Sequence, residues 1–265
     1  MEPMVVTAFG PKFTAKSSMA LTFPKPIAYY DLELGGARAW EWHKLVNDGV
    51  VLPRKVIVPG RDLVKRWAKL EGYIEAWKQF VTLLEADLLN DHIATIVFDT
   101  GTVVRGLAVD GFLEFSQNAK PDKKTLDQYE YREPNRRTED VMGAPKRAGK
   151  DLVVIYHETD EYSPRLDSKT QLPMRDEQGN VVRIPTGYKV PDGYGRAESD
   201  ADWVLHSGSR LEEYKINGMK QSKLGPVPYV TIMKSPYGLD FYGDEIKWPS
   251  YAKLMNKPKL LGRVT

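Results

Sequence analysis

The sequence predicts an α/β fold in which helices flank a mostly parallel β-sheet, with a C-terminal β extension. Short apolar strands alternate with helical segments along the chain, which is typical of a parallel sheet. Four of the predicted strands end in polar clusters, at residues 10–17, 31–33, 99 and 157–158. Because ligands bind at the carboxyl ends of the strands in such sheets, the four clusters together indicate one binding site.

The composition limits the class of protein. The chain has 265 residues, of which 42% are apolar and 28% are charged, as in an ordinary globular protein. The formal net charge is only +2, so any nucleic-acid binding must come from local patches. The absence of cysteine excludes disulfides, thiol nucleophiles, iron–sulfur clusters and cysteine zinc sites. No signal peptide and no long apolar stretch are evident, so we expect a cytoplasmic protein with no membrane span.

We expect one domain over residues 1–240, because this length fits a single large α/β unit. Polar segments that contain proline, at 119–150 and 160–200, are predicted to be loops inserted into that domain. Residues 241–265 contain two prolines and four lysines and are predicted to be a C-terminal tail.

In the first part of the chain, a strand at 5–9 precedes a helix at 16–21, and a second strand covers 27–33. A short third strand is predicted at 56–58. The clearest helix covers 61–89, because apolar residues recur there every three or four positions. These residues are Leu63, Trp67, Leu70, Ile74, Trp77, Val81, Leu84 and Leu88.

Beyond residue 90, a buried strand at 93–99 is followed by a helix through residue 115. A helix is also predicted near 122–131, within the first polar segment. Gln178-Gly179-Asn180 lies between polar and β-branched runs and predicts a hairpin turn. The remaining strands are predicted at 152–158, 202–206, 211–216 and 228–233.

The loop after the first strand carries the main chemical signal. Gly10, Lys16 and Ser17 match the pattern Gly-x4-Gly-Lys-Ser/Thr, in which backbone amides and the lysine hold phosphates and the hydroxyl binds Mg²⁺. Ala15 replaces the second glycine, and a left-handed backbone at this position would cost alanine about 1–2 kcal/mol. The predicted phosphate-binding residues are Gly10, Pro11, Lys12, Phe13, Thr14, Ala15, Lys16, Ser17 and Ser18.

Three further strand ends carry side chains that a bound triphosphate would need. Asp99 suits a carboxylate that organises Mg²⁺, or it caps the next helix. Glu33 shares one face of a strand tip with Asp31 and would orient an attacking water, unless both are solvated acids. His157 would hydrogen-bond the γ-phosphate, or it is a partly buried structural histidine. The predicted catalytic residues are Glu33, Lys16 and His157, and the predicted metal ligands are Ser17 and Asp99.

This order of motifs resembles the RecA-type ATPase core, and most of all the short RecA-like nucleotide-binding proteins that phages encode among their recombination genes. The resemblance covers about residues 4–235 and depends on the loop, Tyr30-Asp31-Leu32-Glu33, Phe98-Asp99 and Tyr156-His157. It implies that Glu33, two positions after Asp31, is the catalytic glutamate and that His157 is the γ-phosphate sensor. It also implies the phosphate and Mg²⁺ roles for Lys16, Ser17 and Asp99. Ala15 departs from the family pattern, which affects efficient turnover more than binding.

The resemblance also implies partners, because RecA-like proteins hold single-stranded DNA with the loops after the two corresponding strands. The segment 119–150 has nine basic and six acidic residues with Tyr129 and Tyr131 nearby, which suits either DNA contact or a solvated charged surface. The segment 160–200 has eight acidic and six basic residues, so electrostatics alone do not favour DNA there. The basic residues considered are Lys123, Lys124, Arg132, Arg136, Arg137, Lys146, Arg147 and Lys150.

RecA-like cores work as rings or filaments in which a neighbouring subunit supplies a basic residue, so the resemblance implies a homo-oligomer. The candidates for that residue are Arg210, Lys215, Lys220 and Lys223. A phage recombination protein is a further candidate partner.

The predicted function is Mg²⁺-dependent ATP binding and hydrolysis by a RecA-like protein that acts on single-stranded DNA in phage recombination, annealing or repair, in the host cytoplasm. The alternative is a nucleotide-binding interaction protein that hydrolyses slowly or not at all, in which ATP is a structural or switching ligand. Ala15 motivates this alternative. A small-molecule kinase is a third reading, but the sequence has no clear arginine-rich lid motif.

Overall fold

The structure is a computed structural model that describes residues 2–39, 41–60, 69–168, 170–176, 178–179, 181–215 and 222–260. The strands are β1 (Val5–Phe9), β2 (Ile27–Asp31), β3 (Val51–Arg54), β4 (Thr95–Asp99), β5 (Asp151–Tyr156), β6 (Glu158–Pro164), β7 (Arg183–Pro191), β8 (Trp203–Lys215), β9 (Ser222–Lys234) and β10 (Glu245–Lys247). The helices are α1 (Lys16–Ala20), α2 (Trp42–Asn47), α3 (Tyr73–Leu89), α4 (Gly101–Ala119), α5 (Arg132–Arg147) and α6 (Tyr251–Leu260).

Within the described residues, eight strands form one sheet in the order β10-β9-β8-β1-β5-β4-β2-β3. The pairs from β8 to β3 are parallel, whereas β9 pairs antiparallel with both β8 and β10. The α/β fold class, with a mostly parallel sheet and a C-terminal β extension, is therefore confirmed. The order also makes β1, β5, β4 and β2 consecutive neighbours, so the four predicted polar clusters lie along one edge of the sheet.

Helices cover both faces of the sheet, because successive residues of each strand point to opposite sides. Helices α3, α4 and α5 pack on one face, around Tyr30, Phe80 and Phe98. Helices α1, α2 and α6 pack on the other face, around Tyr29 and Trp203. Buried apolar residues on both sides explain why the central strands read as continuous apolar runs in the sequence.

Strands β6 and β7 form a separate antiparallel ribbon, and one residue, His157, lies between the end of β5 and the start of β6. The predicted hairpin turn lies in the excursion between these strands. There the Gly179 amide donates to the Asp176 carbonyl over 3.0 Å, and a bridge joins Arg175 to Val181. Residues 177 and 180 lie outside the described residues. Part of the segment 160–200 is thus an ordered ribbon.

Strands β8 and β9 are each 13 residues long and form a hairpin that extends beyond the parallel strands of the sheet. The pairing of β1 with β8 ends at Phe9 and His206, whereas β8 continues to Lys215. The two predicted strands at 202–206 and 211–216 are therefore one strand, and the predicted strand at 228–233 is the end of β9.

The third strand and the first long helix differ from the prediction. The third strand is β3, not residues 56–58. Strand β3 contains Pro53 and is an edge strand, where the missing amide of proline is tolerated. In the predicted helix at 61–89, α3 covers Tyr73–Leu89, residues 69–72 are not helical, and residues 61–68, with Leu63 and Trp67, lie outside the described residues.

The segment 119–150 is not simply the predicted loop, since half of it is α5. The predicted helix at 122–131 is wrong, because Glu130 instead accepts hydrogen bonds from the Lys123 ammonium group and the Asp127 amide and holds a turn. Pro134 lies in the first turn of α5, where backbone amides make no hydrogen bond within the helix and proline is therefore tolerated.

The predicted C-terminal tail at 241–265 is also wrong for the residues that the structure describes. Strand β10 pairs with β9, and Phe241, Ile246 and Leu254 are buried. Residues 241–260 therefore complete the sheet and cover one of its faces. None of the helices in the described part of the chain is both long and apolar enough to cross a membrane.

Candidate functional site

The loop between β1 and α1 has a backbone that its sequence explains only in part. Gly10 has a φ of 139°, and a Cβ atom there would overlap the carbonyl oxygen of Ser207 in β8. Glycine is therefore required at this position. Phe13 and Ala15 both have a φ of 63°, which is the left-handed region. Phe13 is also 87% exposed, so its ring lies in solvent at the edge of the loop.

Ala15 occupies the position where the phosphate-loop pattern has its second glycine, and it is the N-cap of α1 with φ 63° and ψ 20°. This position therefore adopts the left-handed backbone that glycine favours. Strain of about 1–2 kcal/mol is expected for alanine there. Alanine also has no side-chain acceptor, so it makes no capping hydrogen bond to the amides of the first helical turn.

Replacing Ala15 with glycine is expected to raise the free energy of unfolding by up to about 1 kcal/mol. The relief of left-handed strain, about 1–2 kcal/mol, exceeds the entropy that glycine adds to the unfolded chain, about 0.5–1 kcal/mol. Urea denaturation followed by circular dichroism measures the change. Ala20→Gly, in the same helix, is the control and is expected to destabilise by about 1 kcal/mol or more. Equal destabilisation by both variants would contradict the left-handed assignment.

Lys16 reaches back over its own loop. Its ammonium group donates to the carbonyl oxygens of Gly10 at 2.8 Å and Pro11 at 2.6 Å. Burial lowers the pKa of Lys16 to about 8, although the nearby carboxylates of Asp99, Glu158 and Glu33 act in the opposite direction. Among the described residues no carboxylate lies within ion-pair distance of Lys16. Its charge is therefore held by neutral oxygens that an anion can replace.

Asp99 ends β4 beside the loop and is buried. Its Oδ2 atom accepts a hydrogen bond from the Ser17 hydroxyl at 2.8 Å and another from the Tyr29 hydroxyl at 2.5 Å. Burial raises the pKa of Asp99, and the two hydrogen bonds oppose that rise. The alternative helix-cap role does not apply, because Thr100 is the N-cap of α4 and accepts from the Val103 amide.

Glu33 and His157 form a hydrogen bond across the cleft, with 2.8 Å between His157 Nε2 and Glu33 Oε1. The Thr100 hydroxyl donates to the same Glu33 oxygen at 3.3 Å. The two acids after β2 do not share a strand face as predicted, because β2 ends at Asp31 and Glu33 lies in the following turn. Asp31 instead accepts the backbone amides of the glycine pair at 35–36 and holds that turn.

These residues surround one cleft of about 450 Å³ at the carboxyl edge of the sheet. This volume falls in the range of small-molecule sites. Most of the predicted site residues line it, and Gly10 and Pro11 support it from below through their contacts with Lys16. The lining residues are Lys12, Phe13, Thr14, Ala15, Lys16, Ser17, Ser18, Glu33, Gly35, Arg38, Ala39, Asp99, Thr100, Ile155, Tyr156 and His157.

The donor set fits Mg²⁺ with a polyphosphate better than a metal held by protein alone. Among the described residues no group of three or more histidine or acidic side chains is arranged for a metal ion. Ser17 and Asp99 supply one hydroxyl and one carboxylate, and Mg²⁺ usually binds through one or two protein oxygens, waters and substrate phosphates. The cleft therefore suits a ligand that brings its own metal-binding oxygens.

No protein-family model matches the chain, and no curated protein is significantly similar to it. Two solved structures overlap with most of the chain. A KaiC-like protein of the hyperthermophilic archaeon Pyrococcus horikoshii has 13% identity over 93% of this chain and 85% of its own, with a TM-score of 0.43. The RadB recombinase has 12% identity over 93% of this chain and 87% of its own, with a TM-score of 0.44. Similarity at this level assigns neither a family nor an activity to the chain.

Sequence reasoning missed several side chains around the cleft. Arg38 lines it because the chain turns back towards the loop at the glycine pair at 35–36. In the sequence, this glycine pair is the only feature that indicates the turn. Ser207 lies under the loop, with its hydroxyl 2.7 Å from that of Thr14. His206 pairs with Glu158 at 3.1 Å and stacks on Phe9, next to the loop. No sequence signal marks Ser207 or His206, because strand order alone brings β8 beside β1.

Most basic residues of the segment 119–150 have partners within the chain. Lys123 pairs with Glu130, and Arg136 and Arg137 pair with Glu133. Lys146 pairs with Asp202. The Lys150 ammonium is buried and donates to the carbonyls of residues 90 and 93, and Arg147 donates to the carbonyl of residue 140. These pairings favour the solvated charged surface over a DNA-binding loop.

Of the four candidates for a basic group supplied to a neighbouring subunit, the structure describes the side chain of Arg210. Arg210 is already paired with Glu212 and Glu245 and lies over the ring of Tyr229. Lys220 and the side chains of Lys215 and Lys223 lie outside the described residues.

Proposed function

We propose that the chain is a RecA-like ATPase that binds Mg²⁺-ATP in the cleft, hydrolyses it and acts on single-stranded DNA, as in the recombination, annealing or repair systems of phages. The observation that carries the proposal is the convergence of Lys16, Ser17, Asp99, Glu33 and His157 on one cleft from four separate places in the sequence.

The loop and Lys16 would hold the phosphates. The ammonium group of Lys16 donates to two carbonyl oxygens and lies in the field of three carboxylates, so it supplies a buried cation at the centre of the site. Helix α1 has only five residues, so its dipole is small, and the loop amides and Lys16 bear most of the binding. An incoming phosphate oxygen would replace the loop carbonyls as the partner of the ammonium group.

Ser17 and Asp99 would hold the metal, which supplies charge neutralisation to the phosphate oxygens when it is bound. The hydrogen bond from Ser17 to Asp99 already sets these two groups side by side. A lone pair of the Ser17 oxygen remains available to a cation while its hydroxyl proton is donated to Asp99 in the hydrogen bond.

Glu33 is the residue placed to orient a water for attack on the terminal phosphate. Its carboxylate accepts hydrogen bonds from His157 and Thr100. When His157 turns to a γ-phosphate oxygen, Glu33 loses this partner and can accept a proton from the water. The proton leaves on Glu33, the water oxygen bonds to phosphorus and the bond to the leaving phosphate breaks, so the step needs no further reactant.

The ribbon of β6 and β7 is the surface that we assign to single-stranded DNA. It begins at Glu158, directly after the proposed sensor His157. Tyr162, Ile184 and Tyr188 are exposed on it, and exposed aromatic rings stack on bases without sequence preference. A shift of His157 towards a bound phosphate would move the base of this ribbon, which links nucleotide binding to the DNA surface.

A homo-oligomer also belongs to this proposal. The hairpin of β8 and β9 extends nine residues of β8 beyond its pairing with β1, about 30 Å at the usual rise. Leu211 and Leu224 are exposed on this hairpin. A long arm that starts beside the phosphate loop and exposes two leucines suits contact with a second copy of the chain.

The slowly hydrolysing alternative has two observations in its favour. Glu33 is engaged by His157, and Ala15 holds strain in the loop. In that case ATP would be a ligand that orders the loop and ribbon for a partner, and turnover would be negligible.

The proposal is tested by measuring ATP hydrolysis with and without single-stranded DNA. We expect basal turnover that rises severalfold with single-stranded DNA and less with duplex DNA. Tyr188→Ala is expected to reduce this stimulation, because a stacking side chain contributes about 1–3 kcal/mol per base. Tyr242→Ala removes an exposed tyrosine that lies away from the ribbon and is the matched control. Stimulation that is absent in the wild type, or equally reduced in both variants, would overturn the assignment of DNA to the ribbon.

A further inference from the structure

Tyr29 is a buried side chain of β2 whose hydroxyl donates a hydrogen bond to the carboxylate at the centre of the cleft. Its hydroxyl donates to Asp99 Oδ2 at 2.5 Å, and the residue has no exposed surface. Burial and the neighbouring carboxylate raise the pKa of Tyr29, so the phenol stays protonated and remains a donor. Its ring packs edge-on against Trp42, with 4.9 Å between the ring centroids. The position of the hydroxyl is therefore set by the packing of the Tyr29 ring against Trp42 of α2.

The two hydrogen bonds to Asp99 reach the same oxygen. Ser17 and Tyr29 both donate to Oδ2, and no donor from the described residues reaches Oδ1. The carboxylate is thus held from one side only. Oδ1 is left as the oxygen that can accept from a metal-bound water or coordinate a cation.

We propose that Tyr29 is a positioning residue for Mg²⁺, which acts by fixing the orientation of the Asp99 carboxylate. The inference deepens the proposed function and depends on it, because it concerns the same metal. Tyr29 does not touch the ligand. It holds Oδ2 so that Oδ1 presents to the cleft, in the way that partners behind a ligating group orient that group for a metal.

Tyr30 shows that a buried tyrosine in this strand can have a purely structural partner. It follows Tyr29 directly, is equally buried, and points to the opposite face of the sheet. Its hydroxyl donates to Asp87 at 2.7 Å, and Asp87 also pairs with Arg54. None of these three residues lines the cleft. The chain therefore contains two neighbouring Tyr–Asp hydrogen bonds of the same chemistry, one at the site and one away from it.

The test compares Tyr29→Phe with Tyr30→Phe. Each variant removes one hydroxyl and keeps the ring, so both are expected to fold and to lose similar stability. Binding of a fluorescent ATP analogue is measured across a Mg²⁺ titration and again in EDTA. We expect Tyr29→Phe to raise the half-saturating Mg²⁺ concentration by about 10- to 100-fold and to leave the affinity in EDTA unchanged. Tyr30→Phe is expected to leave both values as in the wild type.

Two results would overturn the inference. One is an unchanged Mg²⁺ requirement in Tyr29→Phe. The other is an equal loss of affinity with Mg²⁺ and in EDTA, which indicates a general distortion of the loop. In an Asp99→Asn background, Tyr29→Phe is expected to have no further effect on the Mg²⁺ requirement, and an undiminished effect would show that Tyr29 does not act through Asp99. Absence of nucleotide binding in the wild type would instead refute the proposed function, so the two failures are distinguishable.

Discussion

Replacing Lys16 with methionine is expected to weaken ATP binding by about 100-fold or more, so that no binding is seen at micromolar nucleotide. The ammonium group is the buried cation of the loop, and the loss of one partner of a buried charge pair costs about 2–5 kcal/mol. Methionine keeps most of the volume of the side chain. Equilibrium binding of a fluorescent ATP analogue measures the effect.

Lys150→Met is the matched control for this variant. Lys150 is also buried, and its ammonium group also donates to two backbone carbonyls, those of Asn90 at 2.8 Å and Ile93 at 2.9 Å. It does not line the cleft. We expect Lys150→Met to lower the free energy of unfolding while the folded protein binds nucleotide normally. Equal loss of binding in the two variants would contradict the assigned role of Lys16.

Because the pKa of Lys16 is lowered to about 8, nucleotide affinity and stability are both expected to change with pH in this range. As the pH rises through about 8, the ammonium group loses its proton and nucleotide affinity falls, by up to about tenfold per pH unit. Stability changes in the opposite direction. The pKa of about 8 in the folded protein lies below the ordinary value of 10.5, so the unfolded chain binds more protons between these values and stability rises with pH. Lys16→Met is expected to abolish both trends.

Replacing Glu33 with glutamine is expected to lower the rate of ATP hydrolysis by about 10²- to 10⁴-fold while the affinity for ATP changes little. Glutamine cannot accept the proton of the attacking water, and general-base catalysis contributes a factor of this size. Single-turnover hydrolysis and equilibrium binding, measured on the same preparation, separate the two effects.

Glu158→Gln is the control for Glu33, because Glu158 forms the second histidine–glutamate pair at this edge of the sheet, with His206. It does not line the cleft. We expect its turnover to stay within a few-fold of the wild type. A wild type with negligible turnover that Glu33→Gln leaves unchanged would instead support the protein that uses ATP as a switching ligand.

The parts of the site that could be predicted from the sequence are those encoded within one strand and the turn after it. The loop from Gly10 to Ser17 follows a β-branched run and precedes a helix, and Asp99 ends an apolar strand, so each could be assigned from local pattern alone. Strand alternation from Asp31 to Glu33 did not hold, because the chain turns after Asp31. Local patterns therefore located the acids but not the direction of their side chains.

The contacts that could not be predicted depend on the order of strands in the sheet. Asp31 and Asp99 are register partners because β2 lies beside β4, although 68 positions separate them in the chain. The same neighbourhood brings the hydroxyl of Tyr29 to Asp99. In the sequence Tyr29 is one aromatic residue in an apolar strand, and nothing distinguishes it from Tyr30. Tyr29 and Tyr30 have different partners only because their side chains point to opposite faces of the sheet.

Two of the elements that differ from the sequence prediction contain proline. Pro53 is compatible with β3 because that strand is at the edge of the sheet. Pro134 is compatible with α5 because it lies in the first turn. In both places proline interrupts a pattern in the sequence without interrupting the element, because the amide that it lacks is not needed there.

The most direct test of the central claim is a calorimetric titration of Mg²⁺-ATP into the folded protein. The structure leads us to expect one site per chain, with binding that weakens in EDTA and is lost in Lys16→Met. A wild-type protein with a native circular dichroism spectrum that binds no nucleoside triphosphate at millimolar concentration would contradict it.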